Sequence, residues 1–162
     1  MPILPDVLRP GLSILFCGMA PSRVSAARGA YYAHPGNRFW PTLYEIGLTP
    51  RLLAPEEFRL LPQWDIGLTD INKTEIGRDI ELTKAAHDPE GVRRRVLKFK
   101  PRFLATTSKT AGGLMLGRAC AYGLQDETIG ATRIFVLPST SGAAARYWDI
   151  APWRDLASAA RE

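Results

Sequence analysis

The sequence predicts an α/β fold: a single-domain three-layer sandwich with a central, mostly parallel four-stranded sheet and helices on both faces. Three observations predict it. Short apolar runs alternate with helix-like segments, the pattern of strand–helix–strand units. The first run, Ser13 to Gly18, is continuously apolar and stops at Gly18 and Pro21, as a strand buried on both faces does. The 162 residues, 46% apolar and 23% charged, suit one domain with its own core, taken as residues 1–162.

The elements follow in order. After the first strand, residues 19–36 carry Gly, Ala, Ser, two Pro and the pair Tyr31-Tyr32, and read as a long functional loop. Asn37 reads as the N-cap of a helix from Arg38 to Ile46, stopped by Gly47. Pro55-Glu56-Glu57-Phe58 opens a short helix. Asp65 to Ile71 reads as the second strand, running into a polar loop that reaches about Pro89. Residues 90–99 form a basic helix, Phe103 to Thr107 the third strand, and Lys109 to Ala119 a helix despite Gly112 and Gly113. Thr132 to Leu137 is the fourth strand, Pro138 to Ala145 a Ser/Gly/Ala loop, and Pro152 to Ala160 a final helix. In such a sheet ligands gather outside the carboxyl ends of the strands, so the loops after the first, second and fourth strands carry the interest.

Composition narrows the function. No run approaches the ~18 apolar residues of a membrane span, and the start lacks a signal-like core, so a cytoplasmic protein is expected. Cys17 and Cys120 form no CxxC pair, and His34 and His87 are too few for a His-based centre, so no metal and no cofactor are expected. The net charge of +5, mostly from arginine, favours an anionic partner. The densest basic run, Arg93 to Arg102, reads as the solvated face of a helix.

The motifs are sharper. The first loop holds Gly18-Met19-Ala20-Pro21-Ser22 and Ala33-His34-Pro35-Gly36-Asn37-Arg38-Phe39-Trp40. The second holds Gly67-Leu68-Thr69-Asp70. The fourth strand runs into Pro138-Ser139-Thr140-Ser141-Gly142. In this order, over nearly the whole chain, they resemble the mismatch-specific uracil/thymine DNA glycosylases, a branch of the uracil-DNA glycosylase superfamily. Ala-His-Pro-x-Asn-Arg-Phe-Trp is the most specific piece.

The resemblance implies the fold of that superfamily and a reaction: a damaged nucleotide is flipped from DNA and its base–sugar bond hydrolysed, without cofactor or metal. The implied partner is DNA carrying uracil or another damaged base, double-stranded and also single-stranded, met by a monomer. It implies that backbone groups of Gly18, Met19, Ala20 and Ser22 face the flipped base, and that Tyr32 stacks on it, with Tyr31 a competitor for that role. His34 and Asn37 belong to the signature, with structural duty an alternative for both; Phe39 and Trp40 read as core. Ser139, Ser141, Gly142, Ala143 and Arg146 fall where the family contacts DNA.

The sequence departs from the family at two places. The Asn that holds the attacking water is replaced by Ala20, whose side chain offers no hydrogen bond. Asp70, at the end of the second strand, is the expected substitute, with capping of the following turn as its alternative role. Asp65, Glu75 and Asp79 are lesser candidates. The bulky wedge that fills the duplex is replaced by Ala143, which leaves Arg146, Tyr147 or Trp148 for the task. Weak dependence on the opposite base is expected to follow. A catalytically silent binder of damaged or abasic DNA is the alternative reading.

Overall fold

A computed structural model describes residues 2–162. Its sheet has five strands, not four: β1 (Ile14–Gly18), β2 (Ile66–Asp70), β3 (Phe103–Thr106), β4 (Gly123–Ile129) and β5 (Thr132–Val136), in the order β2-β1-β3-β5-β4. All neighbours are parallel except β4, which pairs antiparallel with β5. The missed strand is an edge strand that alternates between half-buried and exposed residues. Its Gln125-Asp126-Glu127 centre has poor strand propensity. The one local signal for it is the two-residue turn Gly130-Ala131, where Gly130 takes φ +59°.

Among the described residues five α-helices flank the sheet: α1 (Arg23–Arg28), α2 (Phe39–Glu45), α3 (Pro89–Phe99), α4 (Lys109–Leu116) and α5 (Ala151–Arg161). Strand alternation divides the core. Ile14 and Phe16 of β1 face Phe39, Trp40, Phe58 and Trp153 on one side; Leu15 and Cys17 face Val92, Val96, Ala111 and Met115 on the other. The result is the expected three layers.

Several boundaries shift. Residues 19–36 are not all loop, because Ser22 accepts the Ser25 amide as an N-cap and starts α1, which Gly29 ends at φ +66°. Helix α2 starts one residue later than expected, with Arg38 at the N-cap position, although Asn37 Oδ1 still accepts the Phe39 amide at 2.9 Å. Helix α4 stops at Leu116, where Gly117 turns left-handed. Residues 55–64 form a 3₁₀ segment. Asp65 stands before β2 at φ +60°, paired with Arg9 at the amino end of the sheet.

The arginine run is largely spent on internal ties. Arg93 meets Glu90 and the Met115 carbonyl, Arg94 meets Asp88, Arg95 meets Asp6, and Arg102 donates to the Ala160 carbonyl. Among the described residues no helix is long and apolar enough to cross a membrane.

Candidate active site

The carboxyl ends of β1, β2 and β3 lie side by side. Gly18 is in register with Asp70, and Thr107, just beyond β3, donates its amide to the Cys17 carbonyl at 3.0 Å. The chain leaves β1 for β2 on one side and crosses to β3 on the other, the arrangement that opens a crevice. A methyl group added to Gly18 would stand 2.8 Å from Asp70 Oδ1, 3.0 Å from the Tyr32 hydroxyl and 3.5 Å from Thr107 Oγ1. Three polar groups from three elements therefore converge on a position where only glycine fits without displacement.

Asp70 is 4% exposed, and its carboxyl accepts no hydrogen bond from a described residue. Burial pushes its pKa up to about 7; the Lys73 charge opposes that, Asp6 adds to it, and Arg95 opposes it. The capping role open to Asp70 belongs instead to Asn72, whose Oδ1 accepts the Thr74 and Glu75 amides. The other candidate carboxylates are elsewhere. Asp65 lies at the far end of the sheet. Glu75 is occupied by Asn72 and Thr83. Asp79 lies exposed on a single 3₁₀ turn.

Tyr32 sits in the left-handed region, φ +52°, which is costly for a bulky residue. It is held there by stacking on Phe39, with ring centroids 4.0 Å apart at 19°, and by a 3.1 Å bond between its hydroxyl and that of Thr107. Tyr31 points elsewhere: it is buried, donates to the Pro5 carbonyl and receives Lys73. Phe39 and Trp40 are core, as expected.

The Gly18–Ser22 turn is zipped to the second loop through its carbonyls. Gly18 accepts from Ile71, Met19 from Asn72, and Pro21 from Gly77. The amides of Met19, Ala20 and Ser22 donate to no described residue. The Met19 side chain packs into the core and the Ser22 hydroxyl caps α1, so only their backbones are free to meet a ligand.

His34 and Asn37 stand apart from Asp70. His34 is exposed, and its Nδ1 accepts the Gly36 amide at 2.9 Å. Asn37 is occupied at the start of α2. Both shape the turn that carries Arg38, whose amide donates to the Thr140 carbonyl and so fastens the first loop to the β5 loop. A cavity of about 480 Å³ runs along this turn, walled by Tyr32, His34, Asn37, Trp40, Leu53 and Glu57 among others; Gly18 and Asp70 are not part of its wall.

The serines of the β5 loop are turned onto their own backbone. Ser139 Oγ accepts the Ser141 amide, and Ser141 Oγ accepts the Ala143 amide to open a 3₁₀ segment from Gly142 to Tyr147. Ala143 and Arg146 are exposed, and the Arg146 guanidinium lies over the Tyr147 ring. Among the described residues no group of His, Cys, Asp and Glu is arranged to hold a metal.

Sequence reading missed Thr107, whose signal was its place at the carboxyl end of the third strand. It also missed the partnership of Asp6, Lys73 and Arg95, which lie far apart in the chain and carry no shared motif.

The family model described as "Uracil DNA glycosylase superfamily" matches residues 5–157. The chain belongs to that superfamily. It is thereby placed among the DNA glycosylases, repair hydrolases whose substrate is DNA. It is also similar to the solution structure of a protein from Methanosarcina acetivorans titled a candidate uracil DNA glycosylase. That similarity covers 98% of this chain and 97% of that one at 25% sequence identity, with a TM-score of 0.68.

Proposed function

We propose that this superfamily member is a monofunctional uracil-DNA glycosylase of the mismatch-specific type in which Asp70 replaces the missing Asn. It hydrolyses the N-glycosidic bond of a flipped uracil, or of a related damaged base, and leaves an abasic site. The observation that carries the reading is a buried carboxyl, free of hydrogen bonds and with a pKa near neutrality, beside Gly18 at the crevice.

The chemistry follows from the geometry. Water attacks C1′ of the deoxyribose, the bond from C1′ to the base nitrogen breaks, and its electron pair leaves with the base. The proton released by water passes to the Asp70 carboxylate. Before that transfer, the same negative charge stabilises the cationic sugar. A carboxyl with pKa near the working pH serves as a base and is still a competent proton carrier afterwards. The free amides of Met19, Ala20 and Ser22 supply donors for the charge that builds on the departing base. Tyr32 offers its ring for stacking, already braced from behind by Phe39.

The β5 loop supplies contacts to the DNA backbone through Gly142, Ser139, Ser141 and Arg146. With Ala143 at the wedge position, duplex opening relies less on the opposite base. The test is incubation of the purified protein with oligonucleotides carrying uracil opposite G, opposite A and unpaired, followed by alkaline cleavage of abasic sites. Cleavage of all three is expected. No cleavage with binding retained would make the protein a silent reader of damage. Cleavage of the G:U substrate alone would overturn the weak dependence on the opposite base.

A further inference from the structure

The β5 loop rests on the first loop. Arg38 donates its amide to the Thr140 carbonyl at 2.9 Å, and a methyl group on Gly142 would stand 3.4 Å from the Gly36 carbonyl oxygen. Asn37 Oδ1 fixes the next amide, that of Phe39, at 2.9 Å. The backbone around Arg38 is therefore held, and its side chain starts from the seam between the two loops. From there it reaches Trp148, the residue after the 3₁₀ segment, with the guanidinium carbon 5.5 Å from the ring centroid. Trp148 packs in turn on Trp153 at 6.1 Å, and Trp153 Nε1 donates to the Pro138 carbonyl at 3.1 Å. The Arg38 guanidinium thus stands at the loop that leaves the carboxyl end of β5.

Most arginines of this chain face a carboxylate, as Arg28 faces Glu56 and Arg154 faces Glu45. Among the described residues Arg38 has neither an ion pair nor a side-chain hydrogen bond. Its Nη1 is shut off from solvent and unpartnered, whereas Nε and Nη2 of this half-buried residue are not shut off. Asp149, the acid beside Trp148, turns its Oδ1 onto the Ala151 amide instead. Stacking on Trp148 occupies the face of the guanidinium and leaves the N–H groups along its edge. Burying part of a cation without an acceptor costs free energy, and an anion at the open edge offsets that cost. Arg146, on the same loop, likewise has no ion pair among the described residues, and its guanidinium lies 5.2 Å over the Tyr147 ring.

We propose that Arg38 is a phosphate-binding residue whose guanidinium takes a phosphodiester of the DNA that lies across the β5 loop, alongside Arg146. The inference rests on the DNA placement proposed above and adds a contact from the first loop to it. A phosphodiester suits the group: its two unbridged oxygens match the planar fork, and its charge answers the unpaired cation. The side chain is already ordered on Trp148, so less freedom is lost when the strand arrives.

The test is the salt dependence of binding. The affinities of full-length wild type, Arg38→Met and Arg38→Lys for a duplex carrying a non-hydrolysable abasic-site analogue are measured by fluorescence anisotropy over a range of KCl concentrations. Arg38→Met is expected to reduce the slope of log K against log salt by about 1, the loss of one phosphate contact. Arg38→Lys is expected to keep the wild-type slope, because the charge remains, and to bind more weakly than wild type, because the fork is lost. A residue that only clamps Trp148 would give Arg38→Met a lower melting temperature and the wild-type slope, and that result would overturn the inference. A wild type that does not bind the duplex would overturn it too. If Arg38→Met does not fold, the Nε–H resonance of Arg38 in the wild type, assigned with Arg38→Lys, is followed by ¹⁵N NMR as the duplex is added. It is expected to shift, and a resonance unmoved at saturation counts against the contact. Uracil excision by the wild type is read separately. A protein that excises nothing while its salt slope depends on Arg38 would keep the phosphate contact and lose the proposed reaction.

Discussion

The two halves of this site's rim are built on opposite physical terms. On the β2 side, Asp70 is buried close to Gly18, Tyr32 and Thr107, and the second loop is zipped to the first by three backbone hydrogen bonds. On the β5 side, the loop is exposed at Gly142, Ala143 and from Ala145 to Tyr147, and the Ser139 and Ser141 hydroxyls are turned onto their own backbone. The difference follows from dielectric. A carboxyl acquires a useful pKa only where water is excluded, whereas a grip on phosphates needs only charge and amides at the surface. Changes on the β2 side should therefore slow the chemical step, and changes on the β5 side should weaken DNA binding.

The largest expected effect is that of Asp70→Asn, which removes the base and leaves the shape. Single-turnover uracil excision should fall by ~10²–10⁴-fold with DNA affinity almost unchanged. The same variant should be more stable than the wild type in alkaline solution. The folded-state pKa of Asp70 is raised from 3.8 to about 7, so the folded protein binds the extra proton between those values. Stability from this group is full below about pH 4, falls as pH rises to 7, and stays lost above it, by an amount of order 4 kcal/mol. Thermal melts should show the advantage of Asp70→Asn at pH 8 and its shrinkage toward pH 4. A constant difference across that range would mean that Asp70 titrates normally.

Gly18→Ala comes next. Its methyl would crowd Asp70 Oδ1 and the Tyr32 hydroxyl, and a displacement of that kind costs about 10²-fold in rate. Circular dichroism should show the fold retained. Tyr32→Ala should weaken binding of uracil-containing DNA by roughly 1–3 kcal/mol, the worth of one stacked base. The smallest effect belongs to the β5 side. Arg146→Ala should leave the saturating rate intact and reduce the slope of log K against log salt by about 1. A loss of rate rather than affinity in that variant would erase the contrast between the two halves.

Much of this was legible in the chain. The β1, β2, β3 and β5 runs announced themselves because buried parallel strands are rich in apolar residues, and the Gly18 and Asp70 motifs fell at the carboxyl ends of β1 and β2. Strand β4 did not, since an edge strand exposes one face and carries the charges that protect it. Helix α1 was hidden by its shortness, although Ser22 is a good N-cap. Ser22, Ser139 and Ser141 illustrate a general limit. The motif does not show that each hydroxyl oxygen also accepts a local backbone amide, which leaves the O–H of Ser139 and Ser141 as the part free to meet a ligand. Asp6, Lys73 and Arg95 were illegible for another reason: one is in the N-terminal segment, one in a loop and one in a helix, and only the fold brings them together.

The central claim is that an ionised Asp70 carries the chemistry that the usual Asn carries elsewhere in the family. It is tested most directly by single-turnover uracil excision from a single-stranded oligonucleotide, measured from pH 5 to 9 for the wild type and Asp70→Asn side by side. The wild-type rate should rise with pH and level off near 7, and Asp70→Asn should be slow and flat over the same range. A variant that matches the wild type in rate and keeps the same rise would contradict the account.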